Sequence, residues 1–282
     1  MFANVPILNR IAQAITVGDI CAPFIGIYGP SDSGEVVRED WDSKVGHSRD
    51  ETPFDHIGLV SKDGVPVGTI GYEHLDEHRS ISATMNKLSW KTVVSADTAL
   101  VEAAKLFSAQ SPYVFLVLRQ NQLVGWMSYH HLLGIPFRAC LFSLLLGIEQ
   151  AMLDVVMTDR ALAVSKLPTG RLNKAKEVYL VRGHKLDKNG IADPRLLLEC
   201  TNFIDKATII QKCPATAANI TAVNDKAMRK AERVRNSLAH PTGERELVML
   251  LSKNEIHAFL AWADKLQTEL LDFTNSYSPL TA

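Results

Sequence analysis

The chain has 282 residues, 46% of them hydrophobic and 22% charged, which is an ordinary composition for one large or two modest globular domains. The formal net charge is −1 at pH 7, so the chain as a whole is not basic, and any affinity for nucleic acid must come from a local patch.

The start of the chain and the spacing of its cysteines predict a protein of a reducing compartment. Met1–Arg10 lacks the basic segment and apolar run of a signal peptide. The most apolar stretch, Leu141–Leu146, is too short to span a bilayer. The cysteines are far apart without metal or redox spacing, so we expect buried free thiols in a cytoplasmic protein that does not contact a membrane. They are Cys21, Cys140, Cys200 and Cys213.

The first half of the chain contains an internal repeat, in which Val65–Leu75 parallels Gln122–Leu132. Each copy follows an apolar run that predicts a strand, and a polar turn separates that run from a second strand predicted to open at Gly68 or Gly125. The first strands are His56–Val60 and Tyr113–Leu118, and the turns are Lys62–Gly64 and Arg119–Asn121.

An amphipathic helix is predicted over Asp97–Phe107 in the second copy. The corresponding part of the first copy, between Pro23 and Phe54, is polar and rich in Gly and Asp, and its pattern assigns no element. Thr16–Ile20 and Val93–Thr98 open the two copies. The order read from these patterns is strand–helix–strand–strand–helix, repeated.

This order and these residues resemble the CBS domain, which occurs as an intramolecular pair. The resemblance implies an α/β tandem CBS regulatory module over residues 15–136, with copies at about 15–80 and 81–135, after an N-terminal arm at 1–14. In the family, a Gly-x-x-Thr/Ser-x-x-Asp pattern binds an adenine nucleotide, because the hydroxyl contacts phosphate and the carboxylate accepts both ribose hydroxyls.

The second copy keeps Gly125 and Ser128 but has His131 in place of the acid, whereas the first has Gly68, Gly71 and His74. Two readings stay open. The pair is either a scaffold without a ligand, or a modified adenine-nucleotide site in which Ser128 holds phosphate and His131 makes another contact. His74 and His78 have the spacing of two metal ligands on a helix, but without a third candidate we expect surface histidines and no metal.

After Pro136 the pattern becomes helical, with the domain boundary near residues 134–140, where Gly134 and Pro136 break the preceding helix. Short connections between helices predict a bundle, and thus an α+β chain overall. The predicted helices are Phe142–Met157, a turn or more around Lys174–Val181, Leu196–Lys206, Thr221–Ala239 and Asn254–Phe273, with a start at Pro194 and a stop at Pro241.

One of these helices closes with Arg235-Asn236-Ser237-Leu238-Ala239-His240-Pro241. This motif and the helix order resemble the HEPN domain, a helical bundle whose members include many metal-independent endoribonucleases and toxins. The resemblance covers about residues 139–275, before a tail at 276–282. It implies that Arg235, Asn236 and His240 are catalytic, that RNA is a partner, that no cofactor is required, and that two copies pair as a homodimer.

The chemistry of these residues fits RNA cleavage. The 2′-hydroxyl of RNA is the nucleophile, so cleavage needs only proton transfer, here by His240, and stabilisation of phosphate charge, here by Arg235. Asn236 would orient one of them or hold the helix end. An acid on the first bundle helix is common in the family; Glu149 is favoured over Asp154, although either would also serve as an ion-pair partner for Arg235.

Arg235 and His240 lie about 140° apart around an ideal helix, so they do not share a face. Either the helix unwinds near His240, which Pro241 favours, or the arginine bends round, or a dimer completes the site. Arg229, Arg233, Asn236 and His240 form one stripe, flanked by Lys226 and Lys230. That stripe is interpreted either as an RNA-binding surface or as a solvated helix face.

The leading hypothesis is a toxin- or defence-like endoribonuclease of the HEPN type regulated by the CBS pair. The alternative is a non-catalytic, nucleotide-responsive regulatory protein in which the helical domain binds RNA, nucleotide or a protein.

Overall fold

A computed structural model describes residues 13–23, 26–28, 37, 56–63, 65–71, 74–75, 80–107, 114–240, 247 and 249–277. The chain divides into two compact units. Residues 15–136 form an α/β unit, and residues 1–14 together with 137–282 form a helical unit. The chain is therefore a mixed α+β protein, with its strands in the first unit.

The α/β unit contains two four-stranded sheets with the same arrangement. In sheet A the order is β2 (Gly26–Tyr28), β3 (His56–Val60), β4 (Pro66–Gly71) and β5 (Asn86–Lys87). In sheet B it is β6 (Val93–Ser95), β7 (Val114–Arg119), β8 (Gln122–Ser128) and β1 (Ala22–Pro23). In each sheet the first pair is parallel and the next two pairs are antiparallel.

The two sheets exchange their edge strands. β1 lies in the first copy, at about 15–80, yet pairs with β8 of sheet B. β5 lies in the second copy, at about 81–135, yet pairs with β4 of sheet A. Thr16 and Ala99 add an isolated bridge, and the Leu100 N–H donates to the Ile15 carbonyl. The segment that opens the chain's first copy is therefore hydrogen-bonded to the second copy.

Sequence patterns located the strands but misplaced their starts. β4 and β8 begin before Gly68 and Gly125, so these glycines lie inside the strands. β7 and β8 are joined through Gln120 and Asn121 at φ 48° and 63°, the two left-handed residues of a tight hairpin turn.

The helix predicted over Asp97–Phe107 is wrong in extent, because helix α2 covers only Leu100–Ala104. Its start is delayed because the Thr98 N–H donates to the Ser95 carbonyl in a turn. Helices α1 (Ile81–Thr84) and α3 (Tyr129–Leu132) also lie in this unit, together with 3₁₀ helices at Val17–Asp19 and Trp90–Thr92. Of the unassigned stretch between Pro23 and Phe54, the described residues are β2 and the buried Val37.

The helical unit opens with a long helix, α4 (Ile135–Val156), and continues through shorter helices to a long final one. They are α5 (Arg160–Ser165), α6 (Thr169–Val181), α7 (Pro194–Glu199), α8 (Phe203–Lys212), α9 (Pro214–Asn219), α10 (Asp225–Ala239) and α11 (Lys253–Tyr277). The predicted helix Leu196–Lys206 is wrong, since α7 ends at Glu199 and α8 starts at Phe203. The reason is a capping box in which Asn202 and Asp205 each accept the other's backbone N–H.

The apolar stretch of α4 is longer than Leu141–Leu146. The helical run Ile135–Ser165 is long and apolar enough, by length and composition, to cross a membrane, so the prediction that the most apolar stretch is too short to do so is wrong. However, 72% of its most apolar stretch is buried inside the protein, as in the core helix of a soluble protein. All four cysteines are free, and desolvation raises the pKa of the Cys21, Cys200 and Cys213 thiols, which makes them poor nucleophiles.

Candidate functional site

Arg235 lies near the end of α10, beside the helix's buried face. Asn224 caps the start of this helix by accepting the Ala227 N–H at 3.0 Å. Met228 and Val234 pack into the core, while the Arg235 side chain stays 30% exposed. The helix therefore anchors the backbone of Arg235 and leaves part of its guanidinium open to solvent.

The helix ends immediately before His240. Ala239 is its last residue, and His240 has an extended backbone with φ −107° and ψ 135°. The carbonyl of His240 accepts a hydrogen bond of 3.3 Å from the Arg138 guanidinium, and its side chain is exposed. The helix therefore ends before His240, as the first of the three expected arrangements requires. Pro241 lies outside the described residues.

Glu149 on α4 reaches Arg235 from the neighbouring helix. Its Oε2 lies 3.0 Å from an Arg235 terminal nitrogen, and its Oε1 lies 3.2 Å from the Lys206 ammonium. Asp154 instead accepts a 3.1 Å hydrogen bond from the Gln150 amide. Of the two acids considered from sequence, Glu149 is therefore the one in contact with the motif.

Lys206 is a member of this cluster that sequence reasoning missed. Its side chain is 4% exposed, and it donates to the Thr201 carbonyl at 2.6 Å as well as to Glu149. Desolvation lowers the pKa of Lys206, while the nearby Glu149 opposes that shift. The available signal was its position on α8, three residues from both Phe203 and Ile209 on the apolar stripe.

Asp205 and Arg171 form a second ion pair beside Lys206. We name the five charged residues together the charge cluster: Arg171, Asp205, Lys206, Glu149 and Arg235. It contains three cations and two carboxylates. The buried Nε of Arg235 has no hydrogen-bond partner within the described part of the chain, so the guanidinium is only partly satisfied.

The predicted basic stripe follows the exposed side of α10. Arg229, Arg233, Asn236 and His240 are all exposed. Lys226 is exposed as well, but Lys230 is half-buried, with its ammonium 3.4 Å from a Glu255 carboxylate oxygen. Lys230 is therefore partly neutralised within the helical unit.

In the α/β unit the structure brings Ser128 and His131 together. Ser128 precedes α3, and its N–H donates to His131 Nδ1 at 2.9 Å, while its hydroxyl oxygen lies 2.9 Å from the same nitrogen. Ser128 is buried, and Trp126 packs edge-on against the imidazole with ring centroids 5.0 Å apart. Because Nδ1 accepts from the backbone, the proton of the neutral ring lies on Nε2.

Gly125 has a steric reason to be glycine. A Cβ at this position would lie 2.4 Å from the Ala22 carbonyl oxygen, because β1 pairs closely with β8 there. Gly68 occupies the equivalent place in sheet A, where a Cβ would lie 2.4 Å from the Asn86 carbonyl oxygen. The repeated glycine thus permits the exchanged edge strand to pair in both sheets.

One of the two predicted surface histidines lies within the described residues. His74 is exposed, and His78 lies outside the described residues. Among the residues that the structure describes, no group of three or more His, Cys, Asp or Glu side chains is arranged to hold a metal ion.

Comparison with known proteins gives similar structures for about half of the chain. The CBS domain of a CBS domain-containing membrane protein from Sphaerobacter thermophilus is 14% identical, with 45% of this chain and 91% of that chain covered and a TM-score of 0.35. The CBS domain of a bacterial CNNM/CorC family Mg²⁺ transporter in complex with ATP is 9% identical, with 49% and 94% covered and a TM-score of 0.35.

CBSX2 in complex with AMP is 17% identical, with 42% of this chain and 92% of that chain covered and a TM-score of 0.31. No protein-family model and no curated protein matches the sequence.

Proposed function

We propose that the helical unit is a metal-independent endoribonuclease of the HEPN type, with Arg235 and His240 as its catalytic residues. The observation that carries the proposal is the end of α10, where Arg235 is held by a carboxylate of α4 and the exposed His240 follows at an unwound helix end. This arrangement supplies a cation held by an ion pair and an exposed imidazole within one short segment of chain.

The reaction follows from these two groups. The 2′-oxygen of a ribose attacks the adjacent phosphorus, and the bond from phosphorus to the 5′-oxygen of the next nucleotide breaks. His240 takes the proton from the 2′-hydroxyl, and the leaving 5′-oxygen takes one from water. Arg235 donates hydrogen bonds to the non-bridging oxygens as their charge grows. The products carry a 2′,3′-cyclic phosphate and a 5′-hydroxyl.

Glu149 and Asn236 have supporting roles in this proposal. The carboxylate of Glu149, 3.0 Å from Arg235, fixes the direction of the guanidinium, so Glu149 is a positioning residue. Asn236 is exposed next to Arg235 and would contact the RNA backbone. Lys226, Arg229, Lys230 and Arg233 would add electrostatic affinity for phosphates, with Lys230 contributing least because Glu255 lies beside it.

The test compares the cleavage of total cellular RNA by wild type, Arg235→Ala and His240→Ala in excess chelator. We expect cleavage by wild type and a loss of at least ~10²-fold in both variants, the scale of a lost acid/base or charge-stabilising group. His257→Ala, an exposed histidine of α11, is the matched control and should keep full activity. No cleavage by wild type, with and without adenine nucleotide, would favour the non-catalytic binding protein.

For the α/β unit we propose a CBS pair that senses an adenine nucleotide and regulates the helical unit. The internal repeat and the two sheets with exchanged edge strands support this proposal. Ser128 and His131 would line the site. Because the chain has His131 at the position of the family's acid, the ribose lacks the carboxylate that usually accepts both of its hydroxyls, and His131 Nδ1 is already hydrogen-bonded to Ser128.

Calorimetric titration with AMP and ATP tests the sensor. We expect weak binding by wild type and about tenfold tighter binding by His131→Asp, because a carboxylate offers two acceptor oxygens to the diol. Equal affinity in the two proteins would reject His131 as the ribose contact. A homodimer, the usual way for such motifs to face one cleft, is the assembly that light scattering should find in solution.

A further inference from the structure

The charge cluster contains a buried lysine for which the proposed reaction has no use. Lys206 is 4% exposed, and a buried ammonium costs free energy unless it is paired. The positive charge of Lys206 is only partly balanced, because the carboxylate that it contacts, Glu149, also contacts Arg235. One negative charge therefore serves two cations.

A second ion pair, Asp205 with Arg171, lies beside Lys206, and Asp205 also accepts the Asn202 N–H. Asp205 favours the Lys206 ammonium electrostatically and so opposes the lowering of its pKa by desolvation, and Glu232 favours the Arg171 guanidinium in the same way. Among the three residues in direct contact, Lys206, Glu149 and Arg235, two positive charges face one negative charge, which leaves one positive charge in excess. Arg235 is the only cation among the three partners Lys206, Glu149 and Arg235 that is substantially exposed, at 30%. The excess charge is therefore presented to solvent at Arg235.

We infer that Lys206 is a positioning residue that neutralises Glu149 from the buried side, so that Arg235 keeps a net positive charge for a phosphate-bearing ligand. Without Lys206, Glu149 and Arg235 would form a balanced pair, and the guanidinium would attract an anion less strongly. Lys206 also fixes the carboxylate itself, since it is tied to the Thr201 carbonyl at 2.6 Å. This inference rests on the proposed function, because it concerns the same arginine.

Four proteins form a charge cycle that tests the inference: wild type, Lys206→Met, Glu149→Gln and the double variant. Taking Lys206, Glu149 and Arg235 together, their net charges are +1, 0, +2 and +1. Lys212→Met, an exposed lysine on the same helix, is the matched control. The probes are inorganic phosphate, followed through the ¹⁵N signals of the Arg235 side chain, and a 2′-O-methyl RNA oligonucleotide that cannot be cleaved.

We expect Lys206→Met to weaken phosphate binding about tenfold, the effect of one unit charge at short range in a partly screened site. Glu149→Gln should bind more tightly than wild type, and the double variant should return to within about threefold of wild type. Binding of the 2′-O-methyl oligonucleotide should be lost in Arg235→Ala, and binding of both probes should be unchanged in Lys212→Met. Because Arg235 remains as the partner of Glu149, Lys206→Met leaves no uncompensated buried charge, and its unfolding midpoint should stay within about 4 °C of wild type.

A purely structural lysine gives a different pattern. In that case Lys206→Met would lower the unfolding midpoint without changing the affinity of the folded protein, and the double variant would bind phosphate as tightly as Glu149→Gln. Either result would overturn the inference, as would a wild type whose Arg235 signals do not respond to phosphate. If Lys206→Met does not fold, the comparison of Glu149→Gln with the double variant decides the question, because the double variant should bind phosphate less tightly than Glu149→Gln.

The outcome for the proposed nuclease is separate. If phosphate affinity follows the charge cycle but wild type cleaves no RNA, the inference stands and the proposed function fails. If wild type cleaves RNA and Lys206→Met binds the 2′-O-methyl oligonucleotide as well as wild type does, the inference fails and the proposed function stands.

Discussion

The two units differ in how far the polar groups of their candidate ligand-binding residues are already paired within the protein. In the α/β unit, Ser128 and His131 satisfy each other, and both the backbone and the hydroxyl of Ser128 lie at one imidazole nitrogen. In the helical unit, Arg235 shares its carboxylate with Lys206, and its buried Nε has no hydrogen-bond partner among the described residues. Polar groups that are hydrogen-bonded to each other stabilise the fold, whereas a cation whose charge is only partly balanced can bind an anion.

The difference also appears in how each unit is stabilised near its site. The α/β unit depends on close backbone contact at Gly68 and Gly125, where β5 and β1 pair with the neighbouring strands. The helical unit depends on partly buried charges between α4, α8 and α10. Steric changes should therefore damage the first unit most, and changes of charge the second.

The largest effect on stability is expected in the charge cluster. Glu149→Gln removes the one carboxylate that, among the described residues, contacts both Lys206 and Arg235, and it leaves the buried ammonium without its ion-pair partner. We expect the free energy of unfolding to fall by about 3 kcal/mol, at the low end for a broken buried pair because Arg235 is partly exposed. Chemical denaturation at pH 7 measures it, and a loss below ~1 kcal/mol would show that the cluster is well solvated.

The next effect concerns the exchanged edge strand. Gly125→Ala places a methyl group 2.4 Å from the Ala22 carbonyl oxygen, so the pairing of β1 with β8 must be displaced. We expect a loss of about 2 kcal/mol, as for overpacked positions. Gly170→Ala is the control, because a Cβ there meets no atom within 4 Å, and this variant should be neutral or slightly stabilising. Equal stability of the two variants would contradict the steric account of Gly125.

A smaller effect is expected where the α/β unit satisfies its own polar groups. His131→Ala removes the acceptor of the Ser128 N–H at the start of α3 and should cost about 1 kcal/mol, as for a lost helix cap. His131→Asn, whose side-chain oxygen can accept the same N–H, should recover most of that loss. Thermal unfolding of the two variants measures the difference, and an unchanged midpoint for His131→Ala would mean that the hydrogen bond is not stabilising.

The smallest effect is one of pH. Desolvation raises the pKa of Asp154 above its usual 3.8, with the Gln150 amide opposing the shift. The raised value means that Asp154 favours the folded state below pH 3.8 and loses that contribution as the pH rises through its folded pKa. Asp154→Asn keeps an acceptor for Gln150 without the charge. At pH 7 it should be up to about 1 kcal/mol more stable than wild type, and this advantage should vanish below pH 4.

Sequence patterns predicted the parts of the fold that depend on local periodicity. The repeat placed β3, β4, β7 and β8, and helical spacing placed the exposed Arg229, Arg233 and Asn236 on α10, whereas His240 follows the end of that helix. The exchange of β1 and β5 was not predictable in this way. These strands have two residues each, and their pairing is decided by contacts with distant parts of the chain.

The candidate site was predictable to the same extent. Arg235 and His240 come from one contiguous motif, and Glu149 was favoured over Asp154 as the acid near that motif. Lys206 was missed because the sequence was read as one helix from Leu196 to Lys206. The capping box of Asn202 and Asp205 starts a new helix, and this places Lys206 on the face that packs against Glu149.

The central claim, that the helical unit cleaves RNA through its 2′-hydroxyl, is tested most directly with a matched pair of oligonucleotides. One is RNA, the other has the same sequence with every 2′-hydroxyl methylated, and both are incubated with the wild-type protein in excess chelator and analysed by mass spectrometry. The account predicts that the RNA alone is cut, leaving 2′,3′-cyclic phosphate and 5′-hydroxyl ends. Cleavage of both oligonucleotides, or of neither, would contradict it.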